Sequence, residues 1–145
     1  HTAVLRRDGT VWTAGAGAKG QLGDGQTSDR ATFAEVMAGA QAVALGAVHT
    51  AVLRRDGTVW TAGRGAEGQL GDGQTSARAT FAEVMAGAQA VVLGDRHTAV
   101  LRRDGTVWTA GGEGTDRKVF VAWPRAALRQ IGAAVSVEAR ELEQH

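Results

Sequence analysis

The chain has 145 residues, which suits a single domain, and a compact domain of that length buries about 68% of the surface of its unfolded chain. Its net charge is only +1, so its overall charge does not draw it to nucleic acid or to a membrane. It has no Cys, which excludes disulfides and thiolate metal sites, and no apolar run of the roughly 18 residues that a membrane-spanning helix needs.

One sequence unit occurs three times with a period of 48 residues, starting at His1, His49 and His97. The first two copies are identical at 42 of 48 positions. They differ at Ala16/Arg64, Lys19/Glu67, Asp29/Ala77, Ala44/Val92, Ala47/Asp95 and Val48/Arg96. A fixed period of this length with several short strands indicates stacked repeats, and propeller blades in particular.

Each copy opens with two apolar runs joined by Asp-Gly, at 50–55 and 58–62 in the middle copy. Asp-Gly between such runs predicts a β-hairpin with a two-residue type I′ turn. That turn would place Leu53 opposite Trp60 and Arg55 opposite Thr58. Leu53 and Trp60 would then share one face and Val52 the other, so neighbours would cover the hairpin on both faces.

Two further strands are expected in the unit, at 80–84 and 90–93, after a Gly-rich loop over 63–78. Together with the hairpin, these strands would give each 48-residue unit four strands. In the third copy the sequence departs from the pattern after Gly111, and much of the loop is missing, including Gly-Gln-Leu-Gly-Asp-Gly.

Three motifs of the unit resemble the repeat of the regulator of chromosome condensation family. They are Gly94-x-x-His97-Thr98-Ala99-x-Leu101, Asp104-Gly105-x-Val107-Trp108 and Gly68-Gln69-Leu70-Gly71-x-Gly73. The resemblance covers nearly every residue from 1 to 111. It implies blades of about four strands, usually in closed rings of roughly seven. The chain departs from the family pattern where Phe81 replaces a Pro.

The expected fold is all-β, a partial β-propeller of about two and a half four-stranded antiparallel blades. Its expected parts are repeat 1 at 1–48, repeat 2 at 49–96, a degenerate repeat 3 at 97–123, and a C-terminal extension or cap at 124–145. Helical spacing after Pro124 favours a short helix over 125–131, whereas Val135-Ser136-Val137 fits an inner strand instead, and both alternatives stay open.

The chain begins at His1, inside a repeat and without Met, so we expect a further portion upstream. The two outermost blades should each expose a face with Leu and Trp, to be covered by further blades, a second copy or a partner. The compartment is left open, with an intracellular one favoured.

Two patterns that suggest chemistry are given structural interpretations. Gly63–Gly68 matches the dinucleotide motif GxGxxG, but the sequence that follows it cannot begin the helix that such a site needs. His49 and its two equivalents recur once per repeat, and identical positions on successive blades diverge rather than converge on a metal. We expect these rings to bond to neighbouring backbone, and the recurring Trp60 to pack between blades.

The differences between copies indicate a candidate partner-binding surface. In antiparallel order, strands at 41–46, 49–55, 58–62 and 80–84 place two loops on one rim and the Asp-Gly hairpin on the other. Five of the six differences fall on the first rim. Either surface loops tolerate drift, or this rim is diversified for contact. The candidate partner-binding residues are Lys19, Asp29, Arg64, Glu67, Asp95 and Arg96.

The predicted function is non-catalytic, a module for protein–protein interaction or scaffolding without cofactor or metal. Near-identical copies supply the same residue types repeatedly, whereas a catalytic site needs different types at one point. Expected partners are another protein, or neighbouring subunits that cover the open blade faces, with no membrane insertion.

Two alternatives are kept. In one, a basic rim binds nucleic acid or chromatin, although an Asp beside each Arg pair halves its net charge. This rim comprises Arg6-Arg7, Arg54-Arg55 and Arg102-Arg103. In the other, the chain is the propeller fragment of a multidomain exchange factor or ubiquitin ligase whose chemistry lies elsewhere.

Overall fold

The computed structural model describes residues 1–112 and 117–123, and these form strands joined by turns and loops. The strands are β1 (Thr2–Leu5), β2 (Val11–Gly15), β3 (Arg30–Met37), β4 (Ala40–Leu45), β5 (His49–Arg54), β6 (Val59–Gly63), β7 (Arg78–Met85), β8 (Ala88–Leu93), β9 (His97–Arg102), β10 (Val107–Gly111) and β11 (Val121–Trp123). No helix that could cross a membrane is present in these residues.

The strands make three antiparallel sheets in chain order. The first sheet is β1-β2-β3, the second β4-β5-β6-β7 and the third β8-β9-β10-β11. Within each sheet, strands that follow one another in the chain pair antiparallel. The all-β, partial-propeller prediction is confirmed, while the alternatives for 125–131 and 135–137 lie outside the described residues.

The Asp-Gly hairpin differs from the prediction. Gly57 N–H donates to the Arg54 carbonyl and Arg54 N–H donates to the Thr58 carbonyl, both at 2.9 Å, so three residues form the loop. Gly57 has a positive φ of 87°, and Asp56 does not. The loop is therefore a type I turn followed by a left-handed glycine, not a two-residue type I′ turn.

This longer loop moves the register by one residue. Leu53 pairs with Val59 and Val52 pairs with Trp60, so the predictions of Leu53 opposite Trp60 and of Arg55 opposite Thr58 are wrong. A one-residue shift changes which side chains share a face. Leu53 and Val59 share one face of the second sheet, and Val52 lies on the other.

These two faces fill two apolar cores between the sheets. In the first core, Val11 of sheet one packs with Ala40 and Val52 of sheet two. In the second, the other face of sheet two, including Leu53, packs against Val91 of sheet three. Sheet two therefore presents one face to sheet one and the other to sheet three, as a blade does.

The tryptophans do not belong to either core, so the prediction that they pack between blades is wrong. Trp60 is half-buried, and its Nε1–H donates to the Thr58 hydroxyl at 2.8 Å. The Arg54 guanidinium lies 5.6 Å from the centre of its ring. Trp12 and Trp108 repeat this arrangement in their own hairpins.

A second inter-sheet contact comes from the Gly-Gln-Leu-Gly-Asp-Gly loop. Gly25 N–H donates to the Ala79 carbonyl at 2.9 Å, which ties the loop of sheet one to strand β7 of sheet two. A Cβ at Gly23 would lie 2.1 Å from the Phe81 ring, so only glycine fits beneath this side chain. We call this contact the loop clamp. The second sheet holds Phe120 through Gly71 in the same way.

The two ends of the stack differ, although the sequence predicts an open face at each. On the face of sheet one that points away from sheet two, Val4 is 42% exposed and Phe33 is 48% exposed. In sheet three, Leu101 and Val107 are buried, at 7% and 1% exposure. The predicted open apolar face is therefore present on the first sheet, where Trp12 pairs with Val4 and shares its face, whereas on the third sheet Leu101 and Val107 are buried and the prediction is wrong.

Candidate functional site

The strand order places two kinds of loop at one end of the sheets. His49 pairs with Gly63 and Gly63 with Arg78, so the connections at 46–48 and 64–77 emerge at the same end. We call this end, with the equivalent described residues 16–29, 94–96, 112 and 117–120, the loop rim. The opposite end carries the Asp-Gly hairpins and is called the hairpin rim.

An ion pair organises the loop rim of sheet two. The Arg64 guanidinium donates to both Glu67 carboxylate oxygens, with Nη2 2.8 Å from Oε1 and Nε 2.9 Å from Oε2. Gln69 Nε2–H also donates to Glu67, at 2.8 Å. These bonds, first the one from Arg64 and then the one from Gln69, lower the pKa of Glu67 to about 2.

This pair lies where sheet two meets sheet three. A Cβ at Gly111 would lie 2.7 Å from Gln69 Cα and 2.6 Å from the Arg96 carbonyl oxygen, so the loop of one sheet packs on the next. The positive charge of Arg96 further lowers the pKa of Glu67. We call the group Arg64, Glu67, Asp95 and Arg96 the charged junction.

A depression adjoins the charged junction. It has a volume of about 410 Å³ and is lined by Asp95, Arg96, His97 and Gly112. Of the six predicted site residues, Asp95 and Arg96 line this depression, and the charge of Arg96 acts on Glu67, which pairs with Arg64. The depression offers charges of both signs, which suits a polar protein surface rather than a simple ion.

The equivalent junction between sheets one and two lacks these charges. A Cβ at Gly63 would lie 3.2 Å from Gln21 Cα, so the packing is the same, but Ala16, Ala47 and Val48 replace three charged residues. Lys19 is exposed there, and no described residue forms an ion pair with it. The other predicted site residue of this loop, Asp29, accepts the Gly17 N–H at 3.0 Å and supports the loop itself.

His49 has the structural role that the sequence predicts. Its Nε2 lies 3.2 Å from the His97 carbonyl and 3.1 Å from the Thr98 hydroxyl oxygen. The Thr98 hydroxyl donates to the Gln69 carbonyl, so Nε2 carries the proton and donates across the sheets. Nδ1 is buried and no described residue bonds to it, and burial lowers the pKa of His49 to about 4.

The glycine-rich loop has no room for a phosphate. A Cβ at Gly65 would lie 2.4 Å from the Ser76 carbonyl oxygen and 3.2 Å from the Leu70 side chain. The loop therefore packs on itself, with Leu70 fully buried. Within residues 1–112 and 117–123, no three or more His, Asp or Glu side chains are grouped to hold a metal ion.

The Arg residues of the hairpin rim have packing roles that sequence reasoning missed. Arg54 lies against Trp60, and the Arg55 guanidinium lies over the preceding hairpin, 3.2 Å from where a Cβ of Gly9 would be. Asp56 accepts the Thr58 N–H and hydroxyl at 3.0 and 2.6 Å, which lowers its pKa. The signal in the sequence is the invariance of the Arg-Arg-Asp-Gly-Thr-x-Trp run in all three copies.

Comparison with known families identifies the repeat. The model of the regulator of chromosome condensation (RCC1) repeat matches residues 8–53 and 56–101, and a second model of the same repeat matches residues 40–69. The chain belongs to the RCC1 repeat family. No curated protein matches the sequence closely enough to count as a relative.

Solved structures support the same fold for this RCC1 repeat chain. Human WBSCR16 matches with a TM-score of 0.74 at 21% identity, over 87% of this chain and 36% of that one. Yeast RCC1 (Prp20) bound to Kap60 matches at 0.72 and 16%, over 86% and 35%. Prp20p from Saccharomyces cerevisiae, described with its binding to Gsp1p and histones, matches at 0.70 and 17%, over 84% and 36%. The chain spans about a third of the length of these structures.

Proposed function

We propose that this RCC1 repeat chain is a protein-binding module that acts through the charged junction on its loop rim, without catalysis of its own. One observation carries the proposal. Copies that are otherwise nearly identical differ where the loop of one sheet meets the next sheet, and only the second of two equivalent junctions holds Arg64, Glu67, Asp95 and Arg96 together.

Two further points support a protein partner. Charges of both signs around a depression favour recognition of a polar protein surface, because complementary charges select the partner and its orientation. The yeast proteins of similar fold are described with protein partners, namely Kap60, Gsp1p and histones. Gsp1p and histones are therefore the first probes to test.

The two junctions allow an experiment with a built-in control. Replacing Arg64→Ala, Glu67→Lys, Asp95→Ala and Arg96→Val together gives the second junction the residues of the first. We expect at least about a tenfold loss of affinity for the partner and a weaker salt dependence. The melting temperature should hold, because the same backbone already carries those residues at the first junction.

The matched control changes the first junction instead, by Ala16→Arg, Lys19→Glu, Ala47→Asp and Val48→Arg. This variant should keep the affinity of the unaltered chain or exceed it by acquiring a second site. Affinity measured by surface plasmon resonance for both variants decides the proposal. Equal binding by all three proteins would show that the charged junction is not the binding site.

A second candidate, nucleic-acid binding by the hairpin rim, has one observation in its favour. Asp56 is held by Thr58, and the described residues show no ion pair between it and Arg54 or Arg55. The exposed Arg7, Arg55 and Arg103 therefore stay available to phosphates. Binding to duplex DNA that weakens steeply with salt, and is lost in Arg7→Gln with Arg55→Gln and Arg103→Gln, would favour this candidate over the first.

A further inference from the structure

A buried glutamine lies beneath the charged junction. Gln69 is fully buried, and its side-chain amide makes two bonds to one residue. Its Oε1 accepts the Glu67 N–H at 2.9 Å, and its Nε2–H donates to the Glu67 carboxylate at 2.8 Å. The first bond requires an oxygen and the second requires an N–H, so the amide fits in one orientation. Gln69 therefore holds both the backbone and the side chain of Glu67.

Gln69 is itself placed by the packing between sheets two and three. The Thr98 hydroxyl donates to the Gln69 carbonyl at 2.6 Å, and His49 Nε2 lies 3.1 Å from the same hydroxyl oxygen. A Cβ at Gly111 would lie 2.7 Å from Gln69 Cα. These contacts come from both sheets. The position of the Glu67 carboxylate at the surface is thus set by groups in the interior.

The first loop has the same glutamine with a different residue above it. Gln21 is 2% exposed, and its Oε1 accepts the Lys19 N–H at 2.8 Å. Its carbonyl accepts the Thr50 hydroxyl at 2.6 Å, as the Gln69 carbonyl accepts that of Thr98. Lys19 has no carboxylate to receive the amide N–H. The two loops hold the backbone of residues 19 and 67 in the same way, while the side chains differ in the sign of their charge.

The difference between the copies lies at the residue that the glutamine holds. Ala18 and Ala66, directly before Lys19 and Glu67, are exposed and identical in the two loops. Drift tolerated by a surface loop would alter these exposed alanines as readily as the residues that follow them. The change from Lys to Glu on a fixed backbone therefore favours a role in recognition.

We infer that Gln69 is a positioning residue for the charged junction, and that the residue at position 67 determines which partner this site binds. The inference rests on the proposed function of the site and adds the residue that selects the partner. Gln69 holds the Glu67 carboxylate where Arg64 bonds both of its oxygens. An ion pair ordered in advance loses less side-chain freedom when a partner binds, which favours affinity. At the first junction the same support presents the single positive charge of Lys19.

The first measurement is the pKa of the Glu67 carboxyl, followed by NMR in a pH titration. Its bonds to Arg64 and then to Gln69 lower this pKa to about 2. Gln69→Met has a side chain of similar length without the amide, and it should raise the pKa of Glu67 toward the ordinary value of 4.5. Gln21→Met is the matched control and should leave it unchanged. A pKa of Glu67 that stays the same in Gln69→Met would overturn the inference.

A gain at the first junction keeps the test decisive if Gln69→Met does not fold. Lys19→Glu places a carboxyl above Gln21, where Ala16 stands in the position of Arg64. We expect the pKa of this new carboxyl to lie below its ordinary value, and to return to it when Gln21→Met is added. Equal pKa values with and without Gln21→Met would show that the glutamine does not hold the residue, which also overturns the inference.

Binding is then measured with Gsp1p and with histones as probes. Glu67→Lys and Gln69→Met should each lose about tenfold in affinity, whereas Ala66→Lys, which places a lysine at the adjacent exposed position, should lose less than about twofold. A loss in Glu67→Lys with full affinity in Gln69→Met would show that position 67 acts without the glutamine, against the inference. If Gln69→Met shifts the pKa of Glu67 but neither Glu67→Lys nor Arg64→Ala alters binding, the proposed function fails while the positioning of Glu67 by Gln69 stands.

Discussion

Strands β1 and β5 share the sequence Thr-Ala-Val-Leu but lie in different surroundings. Val4 is 42% exposed where Val52 is completely buried, and Leu5 is 36% exposed where Leu53 is at 1%. Val4 lies on the face of sheet one away from sheet two, whereas Leu5 shares the face of Val11 toward sheet two. Leu5 is exposed because β1 has only β2 beside it, while β5 lies between β4 and β6. Identical segments thus contribute different stabilities, and equivalent substitutions in the repeats measure this directly.

The largest expected difference is at the leucine pair. Leu53→Ala should destabilise the fold by about 3–5 kcal/mol, because it leaves a cavity in the core shared with sheet three. Leu5→Ala should cost roughly 1 kcal/mol, because the side chain is already partly in water. Urea unfolding of both variants measures the two costs. Equal costs would mean that sheet one is as well packed as sheet two.

The loop clamp provides the next comparison, within a single loop. Gly23→Ala should cost about 3 kcal/mol, since its Cβ would overlap the Phe81 ring and its φ of +68° is already unfavourable for alanine. Gly25→Ala has a φ of +83° but only Thr80 at 3.9 Å, so strain alone should cost about 1 kcal/mol. Thermal unfolding of the two variants separates the steric overlap with Phe81 from the backbone strain that both alanines share. Indistinguishable melting temperatures would argue against the loop clamp.

His49 makes the junction of sheets two and three sensitive to acid. Its pKa is about 4 in the folded chain against an ordinary value of 6.5, so the unfolded chain binds more protons between these values. The stability from the neutral ring is complete above pH 6.5 and is lost as pH falls through about 4. We expect a loss of roughly 2–3 kcal/mol between pH 7.5 and 4.5.

The measurement compares unfolding free energies at the two pH values in the original chain and in His49→Gln. Subtracting the variant removes the contribution of the carboxylates, which titrate in both proteins. A variant that loses as much stability on acidification as the original chain would contradict the assignment of this effect to His49.

The smallest expected effect is a loss of stability that does not depend on the neighbouring sheets. Trp60→Phe removes the Nε1–H bond to Thr58 and should cost about 1 kcal/mol. Trp12→Phe should cost the same amount, because Trp12 bonds to Thr10 within its own hairpin in sheet one. Denaturant midpoints are measured for both variants. Unequal shifts would show that one of the two Trp rings is also stabilised by an adjoining sheet.

Much of the fold is readable from the sequence because strands and turns are local features. The 48-residue period, the apolar runs and Asp56-Gly57 predicted the hairpin and the four strands of the unit. The loop size was predicted wrongly, because Asp-Gly occurs both in two-residue type I′ turns and, with the glycine left-handed, in the three-residue loop found here. The same loop forms in all three hairpins, where the N–H groups of Gly9, Gly57 and Gly105 donate to the carbonyls of Arg6, Arg54 and Arg102.

The candidate site was predicted in part. Strand order alone places the differing residues on one rim, and the structure has that order. The strand order predicted from the sequence did not reveal that Arg64 pairs with Glu67 or that the charge of Arg96 acts on Glu67. Nor did it reveal that Asp29 bonds within its own loop. These contacts either connect loops of different sheets or lie within a single loop, and the pattern of strands in the sequence predicts neither kind. Whether the rim binds a partner stays a prediction.

By itself the sequence determined the repeat, the strands and their order, since period-2 apolar runs and turn residues act over a few neighbours along the chain. Only the tertiary structure decided which copy of a repeated side chain is buried. Val4 and Val52 have the same chemistry and the same strand, and one is exposed while the other is not. Burial depends on what lies across the sheet face, roughly 10 Å away in space and tens of residues away in sequence, and that neighbour differs between the end of a stack and its middle.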